Sequence, residues 1–248
     1  MTLPNSINPW EMLQPHDAER FGKAIFDENE RRRWCTAIFI GGLPFMWKEA
    51  SHVRQMIYQH LDLQQGNRVL LVGESNASCG FVDDLRQLVG AAGEIDSIDV
   101  IERARTMCST GQRGKNGKLG TWRYDFMDGK PDGHYDAIAL MQGVQHTEDW
   151  AETAIQMCRV LKPGGAIATG EICFGEPFEE KVKADVHIQY VMDKLFAGMG
   201  LRHQELSYWS IDDLRKAFSG LLLGQGWFYE RGFEVFWGRK PLNPASAG

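Results

Sequence analysis

After the apolar run Val69-Leu70-Leu71-Val72 the chain reads Gly73-Glu74-Ser75-Asn76-Ala77-Ser78. Glycine, serine and alanine place little bulk beside the backbone, so a ligand can approach it closely. A tight turn makes the same demand, and the segment alone does not choose between the two. Asp99 stands 26 residues after Gly73. At the end of a strand, a carboxylate at that distance can accept both hydrogens of a ribose diol; its other use is to cap the helix that follows. Asp125, between Tyr124 and Phe126, can accept from an exocyclic amine while the rings cover a purine, or can close a turn. The seven histidines form no i, i+4 pair, and His52 and His60 are eight apart, so no metal site is expected.

These residues need elements to hold them. Val69 to Val72 has the composition of a strand buried on both faces. Phe81, Leu85, Leu88 and Val89 keep helical spacing, and a second strand is expected at Glu94 to Asp99. A helix from about Ile101 to Ser109 leads to a third strand at Leu119 to Tyr124, and Ala137 to Met141 is a fourth. Thr147, Glu148 and Asp149 start a helix whose buried face is Trp150, Ala154, Met157 and Leu161. Pro163-Gly164-Gly165 breaks it, and Ala166 to Phe174 is the fifth strand. Ser210 to Phe218 is expected as a helix, and Gln225 to Arg239 as an antiparallel hairpin turning near Arg231-Gly232. Strands alternating with helices in this way predict an α/β doubly wound, mostly parallel sheet. In such a sheet the ligand lies beyond the carboxyl ends of the strands, where strand order reverses.

Upstream, Trp47, Ala50, Val53, Ile57 and Leu61 form one helical stripe. Residues 1–65 read as an amino-terminal helical lid, residues 66–248 as the main domain, and about 175–206 as a helical insertion. With 43% apolar and 24% charged residues, the 248-residue composition excludes largely disordered and collagenous chains. The net charge of -6 leaves no basic field for a polyanion, which argues against nucleic acid as a partner. Five scattered cysteines without a C-x-x-C pair, no apolar h-region near the start and no span of ~20 apolar residues predict a reduced, cytoplasmic setting and no membrane span.

Arg159-Val160-Leu161-Lys162-Pro163-Gly164-Gly165 resembles a segment typical of class I S-adenosylmethionine-dependent methyltransferases, particularly the branch similar to ubiquinone/menaquinone C-methyltransferases. Asp132-Gly133-His134-Tyr135-Asp136 and Gly238-Arg239-Lys240-Pro241 extend the likeness. The resemblance implies a Rossmann-like sheet of about seven strands with helices on both faces, and S-adenosylmethionine as cofactor with S-adenosylhomocysteine as product. It places the methionine part against Gly73, Glu74, Ser75 and Ala77, and the ribose on Asp99. The adenine falls near Val100, Asp125 and Phe126, and the sulfonium near Met141 and Gln142. The chain departs from the family at Leu71, where an acidic residue is usual, and at Ser75 and Ala77, where glycines are usual.

Methyl transfer from a sulfonium is an in-line displacement, so alignment in a dry site is the main requirement, with a base only where the acceptor has a proton to lose. His146, after the fourth strand, lies where similar methyltransferases face the substrate, and imidazole titrates near neutrality. It is the candidate base; its alternative role is to bond the following helix start. Glu171 and His187 are weaker candidates. Trp34, Trp47, Phe174, His187 and Tyr190 belong to aromatic-rich segments that predict an apolar chamber for a hydrophobic or aromatic small molecule. Ordinary core or a homodimer contact would use the same residues. The leading expectation is a small-molecule methyltransferase acting at oxygen or carbon. The alternative is a methyltransferase fold with an altered first motif that binds a ligand or partner without methyl transfer. A nicotinamide-dependent oxidoreductase would carry G-x-G-x-x-G where this chain has Gly73-x-Ser75-x-x-Ser78.

Overall fold

The computed structural model describes residues 54–72, 81–98, 127–141, 147–172, 211–230 and 233–242. Among the described residues six strands make one sheet: β1 (Arg68–Val72), β2 (Glu94–Ile98), β3 (Tyr135–Met141), β4 (Leu161–Ile172), β5 (Leu223–Glu230) and β6 (Phe233–Arg239). Their spatial order is β2-β1-β3-β4-β6-β5. The first four are parallel, and β6 runs antiparallel to both β4 and β5. The described helices are α1 (54–61), α2 (Phe81–Val89), α3 (Trp150–Val160) and α4 (Ile211–Ala217). The strand expected at 119–124, the helix expected at 101–109 and the insertion at 175–206 lie outside the described residues.

The sheet is covered on both faces, which is why Val69 to Val72 could be apolar without alternation. On one face Val69 and Leu71 of β1, Ala137 and Ala139 of β3, Ala166 and Ala168 of β4 and Val235 of β6 pack with Ile57 and Leu61 of α1 and Leu85 and Val89 of α2. Small alanines on β3 and β4 let the helices approach closely. The alternate residues Leu70, Ile138, Leu140, Ile167 and Phe236 are equally buried. They meet the layer of α3 and α4, two helices in mutual contact, where Phe218 stacks on Phe236 with ring centres 5.4 Å apart. α1 also docks at the far side of the sheet: the His60 ring lies parallel to Trp237 at 3.6 Å, and Arg239 reaches Asp62 at 3.2 Å. Burial and the nearby Arg239 guanidinium lower the pKa of His60.

The helix expected to run to Pro163 ends earlier. α3 starts with Asp149 as N-cap, its carboxylate accepting from Glu152 N at 3.0 Å, and stops at Val160, with Leu161 already extended. The residues before a proline avoid helical backbone, and Leu161 uses that freedom to open β4. It pairs with Tyr135, after which one β3 residue, Asp136, faces the four residues Lys162 to Gly165. The glycines make this bulge feasible: Gly164 has φ +78°, and a Cβ on Gly165 would lie 2.8 Å from the Asp136 carbonyl oxygen.

Candidate active site

The register of the parallel strands sets the site. Val72, the last residue of β1, has Ile98 beside it on β2 and Leu140 beside it on β3. With neighbouring strands about 4.8 Å apart, three chain exits therefore lie at one level within roughly 10 Å. β1 and β2 lead directly into Gly73 and Asp99, and β3, one residue longer, leads through Met141 into Gln142. From β1 the chain goes first to β2 on one side and then to β3 on the other, so the order reverses between β1 and β3. A crevice beyond the carboxyl ends at such a reversal is where an open α/β sheet takes a ligand.

Of the residues expected at the site, Met141 is the last of β3, with its backbone beside Gly170. Glu171 lies on β4, beside Glu234 of β6. Gly73, Glu74, Ser75, Ala77, Asp99, Val100, Asp125, Phe126, Gln142 and His146 lie outside the described residues, as do Trp34, Trp47, Phe174, His187 and Tyr190. Leu71, where the family carries an acid, is fully buried among Ile57, Leu85 and Val89. Of the strand residues level with these exits, Val72, Ile98 and Leu140 are apolar and Thr169 of β4 is polar. That residue stands beside Leu140, and its hydroxyl is buried without a hydrogen-bond partner. Among the described residues no group of His, Cys, Asp and Glu is placed to hold a metal, and no helix is long and apolar enough to cross a membrane.

The amino ends of the strands carry polar ties that periodicity did not reveal. Arg159, at the end of α3, donates through Nη1 to Asp132 Oδ1 at 2.6 Å and the Lys130 carbonyl at 2.8 Å, and through Nη2 to the Met127 carbonyl at 3.0 Å. Lys162 Nζ donates to Asp136 Oδ1 at 2.6 Å, and the other oxygen of Asp136 accepts from Arg68 N at 2.8 Å. Burial alone would raise the pKa of Asp136, but these bonds outweigh it and hold the carboxyl below its ordinary value. Lys240 Nζ caps α3 by donating to the Cys158 and Leu161 carbonyls, each at 2.6 Å. The Cys158 thiol is buried and free, its pKa pushed up by burial to about 12, so it is inert. The segments that carried the resemblance are thus joints of the fold, at the edge opposite the crevice.

The known-protein comparisons agree with this geometry. A family described as "Methyltransferase domain" matches residues 76–169. Over those residues the chain is similar to class I S-adenosylmethionine-dependent methyltransferases. It resembles the ubiquinone/menaquinone branch, and S-adenosylmethionine is its cofactor. The chain is 25% identical over 185 residues to the demethylmenaquinone methyltransferase of Bacillus pumilus, covering 71% of this chain and 74% of that protein. It is 30% identical over 139 residues to the sterol 24-C-methyltransferase erg6 of Aspergillus fumigatus, covering 54% of this chain and 35% of that much longer protein. Two solved structures share the fold. A complex of the Haloferax volcanii Trm112 methyltransferase activator with its partner protein has a TM-score of 0.50 at 16% identity, covering 86% of this chain and 98% of that one. Geranyl diphosphate C-methyltransferase of Streptomyces coelicolor, complexed with S-adenosyl-L-homocysteine, has a TM-score of 0.50 at 11% identity, covering 77% of this chain and 76% of that one.

Proposed function

We propose that the protein transfers the methyl group of S-adenosylmethionine to a hydrophobic or aromatic small molecule, at an oxygen or a carbon atom. The observation that carries this reading is the level ending of β2, β1 and β3 on either side of the strand-order reversal. The activities named for the relatives, on a demethylmenaquinone and on a sterol, point to apolar acceptors.

The chemistry of the residues at these exits suits the cofactor. Asp99 accepts from the ribose hydroxyls; Asp125 and Phe126, with Val100, receive the adenine; Gly73 to Ala77 present backbone N–H groups to the methionine end. Bound there, S-adenosylmethionine supplies an electrophilic methyl group on its sulfonium sulfur. Met141 and Gln142 border the sulfonium and hold the line of attack. His146 takes the proton of an acceptor that has one to lose. Trp34, Trp47, Phe174, His187 and Tyr190 line the apolar side and exclude water. The strand expected at 119–124 is the seventh of this reading. Residues 1–65, of which α1 packs on the sheet, and those at about 175–206 form the helical cover. A cytoplasmic location accords with the buried, free Cys158.

One observation favours a second reading, binding without transfer: Leu71 is committed to the core where the resembling family carries an acid. A methyl-transfer assay with S-adenosylmethionine and a panel of phenols, carboxylic acids and quinol-like acceptors separates the two. A methylated product is expected, and His146→Ala should slow transfer by about 10²-fold or more for acceptors that lose a proton. Cofactor binding with no product from any acceptor would favour the second reading.

A further inference from the structure

We propose that Asp96, Lys130 and Tyr135 are positioning residues, which set the distance between the two parts of the chain that hold the nucleoside end of the cofactor. The inference rests on the reading of Asp99, Asp125 and Phe126 given above. Asp96 lies on β2, three residues before Asp99, and Lys130 follows Phe126 by four residues. Lys130 Nζ donates to Asp96 Oδ2 at 3.2 Å. The same oxygen accepts from the Tyr135 hydroxyl, which reaches it from β3 although β1 lies between the two strands.

The short segment after Phe126 is therefore held from two directions. Met127 is fully buried, and its carbonyl and that of Lys130 accept from Arg159 of α3. Asp96 holds the Lys130 side chain from β2. Tyr135 fixes the carboxylate that makes this second tie, and its ring also lies 5.7 Å from Lys130 Nζ. His134 packs edge-on against that ring with centres 4.9 Å apart. Asp99 follows Asp96 by three residues and Phe126 precedes Lys130 by four, so only short stretches of chain separate this tie from the groups assigned to the nucleoside. Binding groups a fraction of an ångström out of place lose affinity. The other amino-edge ties do not do this: Lys162–Asp136 and Arg68–Glu94 each join neighbouring strands.

The test is calorimetric titration of S-adenosylhomocysteine and of 5′-methylthioadenosine, which keeps the nucleoside and lacks the amino-acid tail, with thermal unfolding measured in parallel. Tyr135→Phe and Lys130→Met are each expected to weaken both ligands by the same factor, about five- to tenfold, and Lys130→Arg to restore most of the loss. Variants that unfold at lower temperature yet bind both ligands within twofold of wild type would overturn the proposal, since the cluster would then serve stability alone. Loss for S-adenosylhomocysteine without loss for methylthioadenosine would also overturn it. Wild-type protein that binds neither ligand would instead overturn the cofactor reading, and this proposal with it. Lys130 is partly exposed and its substitution keeps the test open if Tyr135→Phe fails to fold.

Discussion

At the amino ends of the strands Arg159, Lys162 and Lys240 turn their charges onto nearby carbonyls and carboxylates, whereas at the carboxyl ends β1, β2 and β3 run out on Val72, Ile98 and Met141. One edge satisfies its polar groups within the fold. The other brings three chain exits to one level on apolar residues and leaves the polar chemistry to the residues that follow. The contrast explains why the most recognisable segment, Arg159 to Gly165, lies away from the crevice. Its Gly165 admits the Asp136 carbonyl, Arg159 pins the loop from Met127 to Asp132 and Lys162 holds Asp136, so the segment is a joint of the sheet. In the proposed reading, the residues that choose ligand and acceptor belong to the opposite edge.

If the amino edge serves mainly stability and the carboxyl edge mainly binding, the relative sizes of the two effects should tell them apart. Arg159→Ala strands the Met127 and Lys130 carbonyls and the Asp132 carboxylate. It should cost about 3 kcal/mol, taking a hydrogen bond to a charged group as roughly 1.5–3, and lower Tm by about 6–12 °C at ~2–4 °C per kcal/mol. Retained Tm would remove the joint from the account. Asp99→Ala should do the reverse, weakening S-adenosylhomocysteine by about 30-fold through lost charge-assisted bonds with Tm of the free protein nearly unchanged. Thr169→Val sharpens the boundary between the edges. It removes a buried hydroxyl that has no partner and should raise Tm by about 2–4 °C, the effect of about 1 kcal/mol.

The smallest effect concerns pH. Asp96 is held below its ordinary 3.8 chiefly by the Tyr135 hydroxyl, and Asp136 below 3.8 by Arg68 N and Lys162 once burial is overcome. Both contributions are complete above about pH 4 and are lost as pH falls through the lowered values. The acid limb of a Tm–pH curve should accordingly flatten in Asp136→Asn. Tyr135, raised mainly by burial, and Lys130, raised by its bonds to Tyr135 and Asp96 against the effect of burial, act at the other limb. Their stabilisation is present below about pH 10 and declines as pH rises through their raised values.

Much of the fold was legible. Uninterrupted apolar residues at 69–72 required cover on both faces, and α1 and α2 on one side with α3 and α4 on the other provide it. The spacing of Phe81, Leu85 and Val89 gave α2 its bounds, and the turn expected near Arg231-Gly232 falls between β5 and β6. The strand at Ala166 begins five residues earlier than its apolar run, because Leu161 pairs before the bulge, and a bulge has no periodic signature. The ties of Arg159, Lys130 and Lys240 join residues 27 to 82 positions apart. No local pattern reports such bonds. At the crevice the strand ends were readable and their level register was not, since pairing depends on the whole sheet.

The most direct test of the account is calorimetric titration of the wild-type protein with S-adenosylmethionine and S-adenosylhomocysteine, with NADH as control. Micromolar binding of the first two, with none for NADH, is the predicted result. Absence of binding by both would contradict a cofactor crevice between β1 and β3, and would mean that Leu71, Ser75 and Ala77 have closed the site.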